Sequence, residues 1–244
     1  MTVHELLKSS YSFDEAKQLQ IKYRSKIIEE QKDPDFFIEE KSIKYLIGVD
    51  ISYYKRENQD YGIASAVLWN YKKQKMIETY FSESIIDFPY KAGYLGYREN
   101  GLIAKAIKMS KITPDLLMCD GHGIIHPRRF GEATHLGVAL NIPSMGVAKN
   151  PFFGFYDFQN LKRIKGTKSP IWREDPQEIS SKNNEKIGYA VILSNEKKPV
   201  FVSPGYKIRL EVALNIALNT TSEHRQPEPL FFADHLSRKR IKNN

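Results

Sequence analysis

The chain has 244 residues, 41% hydrophobic and 27% charged, proportions that exclude general disorder and allow a sizeable core. Lys and Arg outnumber Asp and Glu by 37 to 29; the net charge of +8 favours a polyanionic partner, but charge alone suits solubility equally well. A single cysteine excludes an internal disulfide, no run is long enough to span a membrane, and MTVHELLKSS lacks a signal peptide's apolar stretch, so a cytoplasmic location is expected.

In chain order, Ser12 and Glu15 form a capping box, and Leu19, Tyr23 and Ile27 recur at helical spacing, which predicts a helix over 12 to about 31. Asp33-Pro34-Asp35 breaks it. Three strands follow, over 45–50, 62–70 and 75–82, and their short polar joins favour antiparallel pairing. The pattern then becomes helix 95–108, buried strand 115–120, helix 129–140 and strand 144–149, which implies parallel pairing. Cys119, inside the apolar run 116–119, reads as a small buried hydrophobe. The stretch from about Asn150 to Asn184 reads as a long polar loop. Strands over 187–193 and 200–203, a helix over 208–217, a stiff connection at 225–229 and a last helix over 230–240 complete the chain. This is the order of an α/β, ribonuclease H-like mixed sheet: three antiparallel strands, then parallel strands, flanked by helices, in one domain over 1–244.

Two carboxylates stand out. Asp50 and Asp120 each close an apolar strand, where a carboxylate is costly unless it is paired or holds a cation. If the strands are neighbours the two acids meet, and oxygen ligands suit Mg²⁺. For either Asp alone a turn or helix cap is the better reading; for both together it loses ground. Glu99 in its helix and Asp234 in the last helix read by themselves as surface acids. The segment from Asp120 through Gly121-His122-Gly123 to His126, Arg128 and Arg129 combines glycines for close backbone approach with cations or donors near a helix start. A hydrogen-bonded structural histidine and solvated arginines are the competing reading; clustering favours phosphate contact. Lys149, at a strand end, either projects beside the carboxylates or snorkels to solvent. Pro89-Tyr90, with Tyr94 and Tyr97, offers aromatics for base stacking, against plain core packing.

Together these segments resemble the endonuclease V family. The match is carried by Gly48-Val49-Asp50, by Pro89-Tyr90 through Gly93-x-Leu95 to Arg98-Glu99, and above all by the ordered residues from Asp120 to Lys149. Phe201-Val202-Ser203-Pro204-Gly205, Arg225-x-Pro227-Glu228-Pro229 and Ala233-Asp234 extend it over most of the chain. The resemblance implies that Asp50, Glu99, Asp120 and Asp234 bind metal, Mg²⁺ with Mn²⁺ able to substitute. It implies that Lys149 is catalytic with His126 near the reacting phosphate, and that Gly121-His122-Gly123 line a flipped-base pocket. Pro89, Tyr90, Lys91 and Ala92 would form a strand wedge, and Arg98, Arg128 and Arg129 are candidate phosphate contacts. The implied activity is metal-dependent cleavage of the second phosphodiester bond 3′ to hypoxanthine in DNA, leaving 3′-hydroxyl and 5′-phosphate ends. Four positions depart from the family's usual pattern. Lys91-Ala92 stand in the wedge where an apolar residue and then Pro or Ser are common, Asp234 where some members have His, and His122 where Asn or Gln is frequent. Inosine in RNA, a non-catalytic binder of damaged strands and a structure-specific nuclease are the rival readings. A monomer suffices for each.

Overall fold

The computed structural model describes residues 4–179 and 183–242. The single-domain and long-loop expectations therefore include residues outside the described ones (1–3, 180–182 and 243–244). The elements in order are α1 (Phe13–Glu30), β1 (Tyr45–Arg56), β2 (Gln59–Asn70), β3 (Lys75–Ile85), α2 (Leu95–Ile107), β4 (Leu116–Cys119), α3 (Glu132–Leu140) and β5 (Ser144–Ala148). After these come β6 (Lys168–Trp172), β7 (Lys186–Val191), β8 (Val200–Tyr206), α4 (Leu210–Asn219) and α5 (Glu228–Lys242).

All the strands join one sheet in the order β3-β2-β1-β4-β5-β8-β7-β6. Its centre is parallel, β1 with β4 and β4 with β5, and both wings are antiparallel. Alternation along the strands sends successive side chains to opposite faces. Leu46, Leu116, Met145 and Val147 pack with α4 and the start of α5, whereas Ile47, Val49, Leu117 and Cys119 pack with α2 and α3. Helix α1 begins at the expected capping box, Ser12 with Glu15, and lays Tyr23 and Ile27 into an aromatic cluster with Tyr97, Phe130 and Tyr206. No described helix is long and apolar enough to cross a membrane.

The fold departs from expectation in three places. β1 does not stop at Asp50: its ladder with β2 runs on to Arg56↔Gln59, around a turn with Glu57 and Asn58 at φ 50° and 62°. β6 lies in the stretch read as loop. Helix α3 begins at Glu132, because Arg129 takes a left-handed φ of 55° and the Gly131 amide donates to Gly123 O, which keeps the preceding residues in a loop.

One close approach fixes α5 against β1. A Cβ on Gly48 would lie 2.6 Å from the backbone of Pro229, the second residue of α5. Gly48→Val is expected to destabilise by about 1–3 kcal/mol through overpacking. A thermal unfolding midpoint unchanged from wild type would contradict this packing.

Candidate active site

Asp50 follows Val49, and Asp120 follows Cys119; Val49 and Cys119 are partners in the parallel ladder. The two acids therefore stand side by side where the sheet's parallel centre ends. Asp50 alternates onto the face covered by α5 and meets Asp234 there, while Glu99 on α2 lies on the opposite face. Tyr53, three residues beyond Asp50 along β1, donates its hydroxyl proton to Glu99.

Glu132 was not anticipated. It is a buried acid in the first turn of α3 that shares a hydrogen bond with Glu99. Its Oε2 has no hydrogen-bond partner among the described residues and is packed so tightly that a Cβ on Gly121 would lie 2.1 Å away. In the sequence it is indistinguishable from an ordinary helix-start acid.

The acids thus form two groups, Asp50 with Asp234 and Glu99 with Glu132, and Asp120 is the junction that acts electrostatically on both. Burial, then the negative charges of Asp120 and Asp234, raise the Asp50 carboxyl well above the usual carboxylate range. Burial pushes Glu99 up to about 7 against its hydrogen bonds from Tyr53 and Glu132. Burial, then Glu99 and Asp120, raise Glu132 well above the usual carboxylate range. Two cations offset this charge. Lys149 Nζ lies 2.6 Å from Asp120 Oδ2, and Arg238 Nε 2.7 Å from Asp234 Oδ1. Burial works to lower the Lys149 ammonium, yet Asp120, Asp50 and Asp234 hold it above its ordinary value, so it stays charged.

Among the described residues no three His, Cys, Asp or Glu side chains are already arranged as a metal cage. The four expected acids do not converge on one point, because Glu99 lies across the sheet from Asp234. The donor set still fits a hard divalent cation that keeps most of its water: it is all oxygen, half-buried, and carries more negative charge than Lys149 and Arg238 neutralise. Asp50, Asp120 and Asp234 are the residues that would hold it.

This charge has a measurable consequence. A carboxyl raised by folding holds its proton more tightly in the folded state, so its stabilisation is present at low pH and lost as pH rises through the folded value. Buried His122, His126 and His135, pushed by burial down to about 4, 3 and 4 from 6.5, act in the opposite sense, but only below pH 6.5. The unfolding midpoint of the metal-free protein is therefore expected to fall between pH 6.5 and about 8, less so in Glu99→Gln. A midpoint that is flat or rises over that range would contradict the assignment.

Two concavities meet at Lys149. On one side is a pocket of about 390 Å³, lined by Tyr90, Gly93, Asp120, His122, Lys149 and Phe152. On the other is a groove of about 830 Å³ containing Asp50, Tyr53, Lys149 and Asp234. A cavity of about 860 Å³ between α1 and the end of α3 touches none of the expected site residues.

Gly121 and His122 line the pocket's floor, and Gly123, outside that lining, ends the segment. It is clamped from beneath by Ser203, whose Oγ accepts from the Gly123 amide at 2.9 Å, and by the Ile124 amide donating to Pro204 O. His122 donates from Nε2 to Asn150 O at 3.0 Å and stacks on Phe152. Phe152, 39% exposed, was missed in the sequence because it follows Lys149 in a stretch without periodicity. At the rim, Pro89, Tyr90, Lys91 and Ala92 are exposed, Tyr90 at 73%. Lys91 rests its ammonium 4.3 Å over the Phe13 ring.

His126, expected near the reacting phosphate, and the three arginines expected as phosphate contacts are committed to partners within the fold. His126 is buried and neutral; Nε2 donates to Gly93 O at 3.0 Å and Nδ1 accepts from the Arg128 amide. Arg128 donates to Gly93 O at 2.7 Å and to Gln20 at 2.5 Å, so with His126 it ties the chain just after Ala92 to the pocket and to α1. Arg129 grips Glu185 with two nitrogens and caps Ile124 O at 3.0 Å. Arg98 holds Phe88 O at 2.5 Å and Asp60 at 3.3 Å. All four bind the loops together, because buried cations and imidazoles require partners wherever the fold provides them. Arg225, which the family match includes without a site role, bonds to Lys149 O and anchors that residue's backbone.

Comparison with known proteins shows the same pattern throughout the chain. The family model described as Endonuclease V matches residues 22–235. An Endonuclease V of Dictyoglomus turgidum is 38% identical over 232 residues, covering 95% of this chain and 92% of that protein. The crystal structure of Endonuclease V from Bacillus subtilis superposes with a TM-score of 0.83 at 27% identity, covering all of both chains. Ciona intestinalis Endonuclease V, crystallised with a 24mer DNA containing an inosine followed by a ribo-adenosine, gives a TM-score of 0.77 at 29% identity over 94% of this chain and 97% of that one.

Proposed function

Because the chain belongs to the endonuclease V family of nucleases, we propose that it cuts DNA strands at hypoxanthine, taking the flipped base into the 390 Å³ pocket and the reacting phosphate onto the carboxylates beside Lys149. The observation that carries this reading is the meeting of pocket and acid groove at one lysine. With the base held against His122 and Phe152, the family resemblance implies hydrolysis further along the strand, at the second phosphodiester on the 3′ side. Flipping costs less for a mismatched base. Tyr90 stands where it can fill the vacated stack.

A Mg²⁺ held by Asp50, Asp120 and Asp234 would supply Lewis-acid stabilisation of the phosphate's developing charge and a more acidic water. The chain's own residues do the rest. Lys149 leaves Asp120 for the phosphate, keeps its proton, and neutralises an equatorial oxygen. Asp50, deprotonated once its neighbours' charge is offset, is placed to accept the attacking water's proton.

The test is a labelled duplex with one deoxyinosine, incubated with Mg²⁺ or chelator beside an undamaged duplex and a matched inosine RNA, with the protein run as the expected monomer on gel filtration. Metal-dependent cutting at the second bond, leaving 3′-hydroxyl and 5′-phosphate ends, is the expected result. Binding without cutting, or equal cutting of the undamaged duplex, would sink the reading; stronger cutting of RNA would transfer it to inosine in RNA.

A further inference from the structure

The groove runs on past the acids, and its far end is basic. From His235 to Lys242, α5 carries Arg238, Lys239, Arg240 and Lys242 and no acid. Arg238, Lys239 and Lys242 line the groove with Ile51, Ser52 and Tyr53 of β1 opposite them. Arg240 does not, since its guanidinium lies 4.8 Å over the Phe81 ring on β3. Lys239 and Lys242 are exposed and have no hydrogen bond or ion pair among the described residues. The wall that carries them is fixed, because Ser237 Oγ meets Ser52 Oγ at 2.7 Å and anchors α5 to β1.

We propose that this groove is a track for the phosphodiester backbone of the substrate strand on the 3′ side of the cut bond, gripped by Arg238, Lys239 and Lys242. The direction rests on the reading above: with the base in the pocket and the reacting phosphate at the carboxylates, the strand can continue only away from the pocket, into the groove. Arg238 and Lys242 are four residues apart, about 6 Å along the helix axis. That separation lets them reach different phosphates of one strand. The competing explanation is that cations near a helix C-terminus merely complement its dipole. It accounts for charge in the last turn, but gives no reason for the groove-facing cations to differ from Arg240.

The experiment uses the full chain in chelator, so that nothing is cut. Binding is followed by fluorescence anisotropy on single strands with one deoxyinosine and progressively longer 3′ ends, over a salt series, beside matched adenine strands. For wild type, affinity is expected to rise as the 3′ end grows past the cut bond. Arg238→Gln/Lys239→Gln/Lys242→Gln is expected to lose that gain and to bind with a log K against log salt slope shallower by about 2 (about 0.7 per lost contact). Lys239→Gln/Lys242→Gln, which leaves the Asp234 ion pair intact, is expected to show a proportionate part of both effects, and Arg240→Gln neither. Variants that keep both the length gain and the salt slope would overturn the track. Loss of inosine preference in wild type with the length effect intact would instead sink the base reading and leave the track standing.

Discussion

Asp120→Asn is expected to lower the cutting rate by roughly 10³-fold or more, while leaving affinity for an inosine strand in chelator within a few-fold of wild type. The amide keeps the carboxylate's shape and removes its charge at the junction of the two acid groups. Asp50→Asn should match it in activity for a different reason: it leaves the junction intact but deletes the group placed nearest Asp234. Both substitutions relieve like-charge crowding, so both are expected to raise the unfolding midpoint of the metal-free protein above pH 6.5, a gain in stability bought with function. Purified variants that still cut, or that are less stable without metal at that pH, would refute the site. Single-turnover cutting and a thermal melt on each variant measure the two arms.

Lys149→Met is expected to reduce cutting by roughly 10²–10³-fold, the scale seen when one preorganised donor to a developing oxyanion is lost. Unlike the acid variants it should also lower metal-free stability, because Asp120 is left beside Asp50 without its cation at 2.6 Å. Lys149→Arg should restore stability better than rate, since a planar guanidinium can pair with Asp120 but does not reproduce a compact ammonium. Because Asp120 and Lys149 are in contact, Asp120→Asn/Lys149→Met should be far from additive in both readouts. Additive losses would mean that the 2.6 Å pair does not couple the two residues.

The parallel centre of the sheet was legible because Asp50 and Asp120 each follow a run of buried apolar residues, and neighbouring parallel strands bring such ends together. β6 was not, because Pro170 removes a donor from it; the strand survives as the sheet's edge, where the missing N–H costs least. The extension of β1 was hidden by its turn, since Glu57-Asn58 takes left-handed conformations that usually call for Asn-Gly. Within the site, the partners of the charged side chains were not legible. Arg129 is matched to Glu185, Arg98 to Asp60 and His126 to Gly93, each tens of residues away, and no local spacing encodes such contacts. Glu132 and Phe152 lacked any sequence signal, because their roles come from what the fold packs around them.

The clamped glycine loop sets how this protein can diversify. A Cβ on Gly123 would meet Pro204 O at 2.0 Å, and one on Gly146, beneath the loop, would meet Gly121 O at 2.3 Å. The floor that a base would rest on is therefore main chain, closed to side-chain variation from both sides. Drift or laboratory selection toward a different damaged base has to work through the ring of residues around the opening, chiefly His122, Phe152 and the four residues from Pro89. Libraries confined to those positions should yield altered lesion preference with the scaffold intact, whereas libraries spread over the glycines should yield mostly unfolded protein.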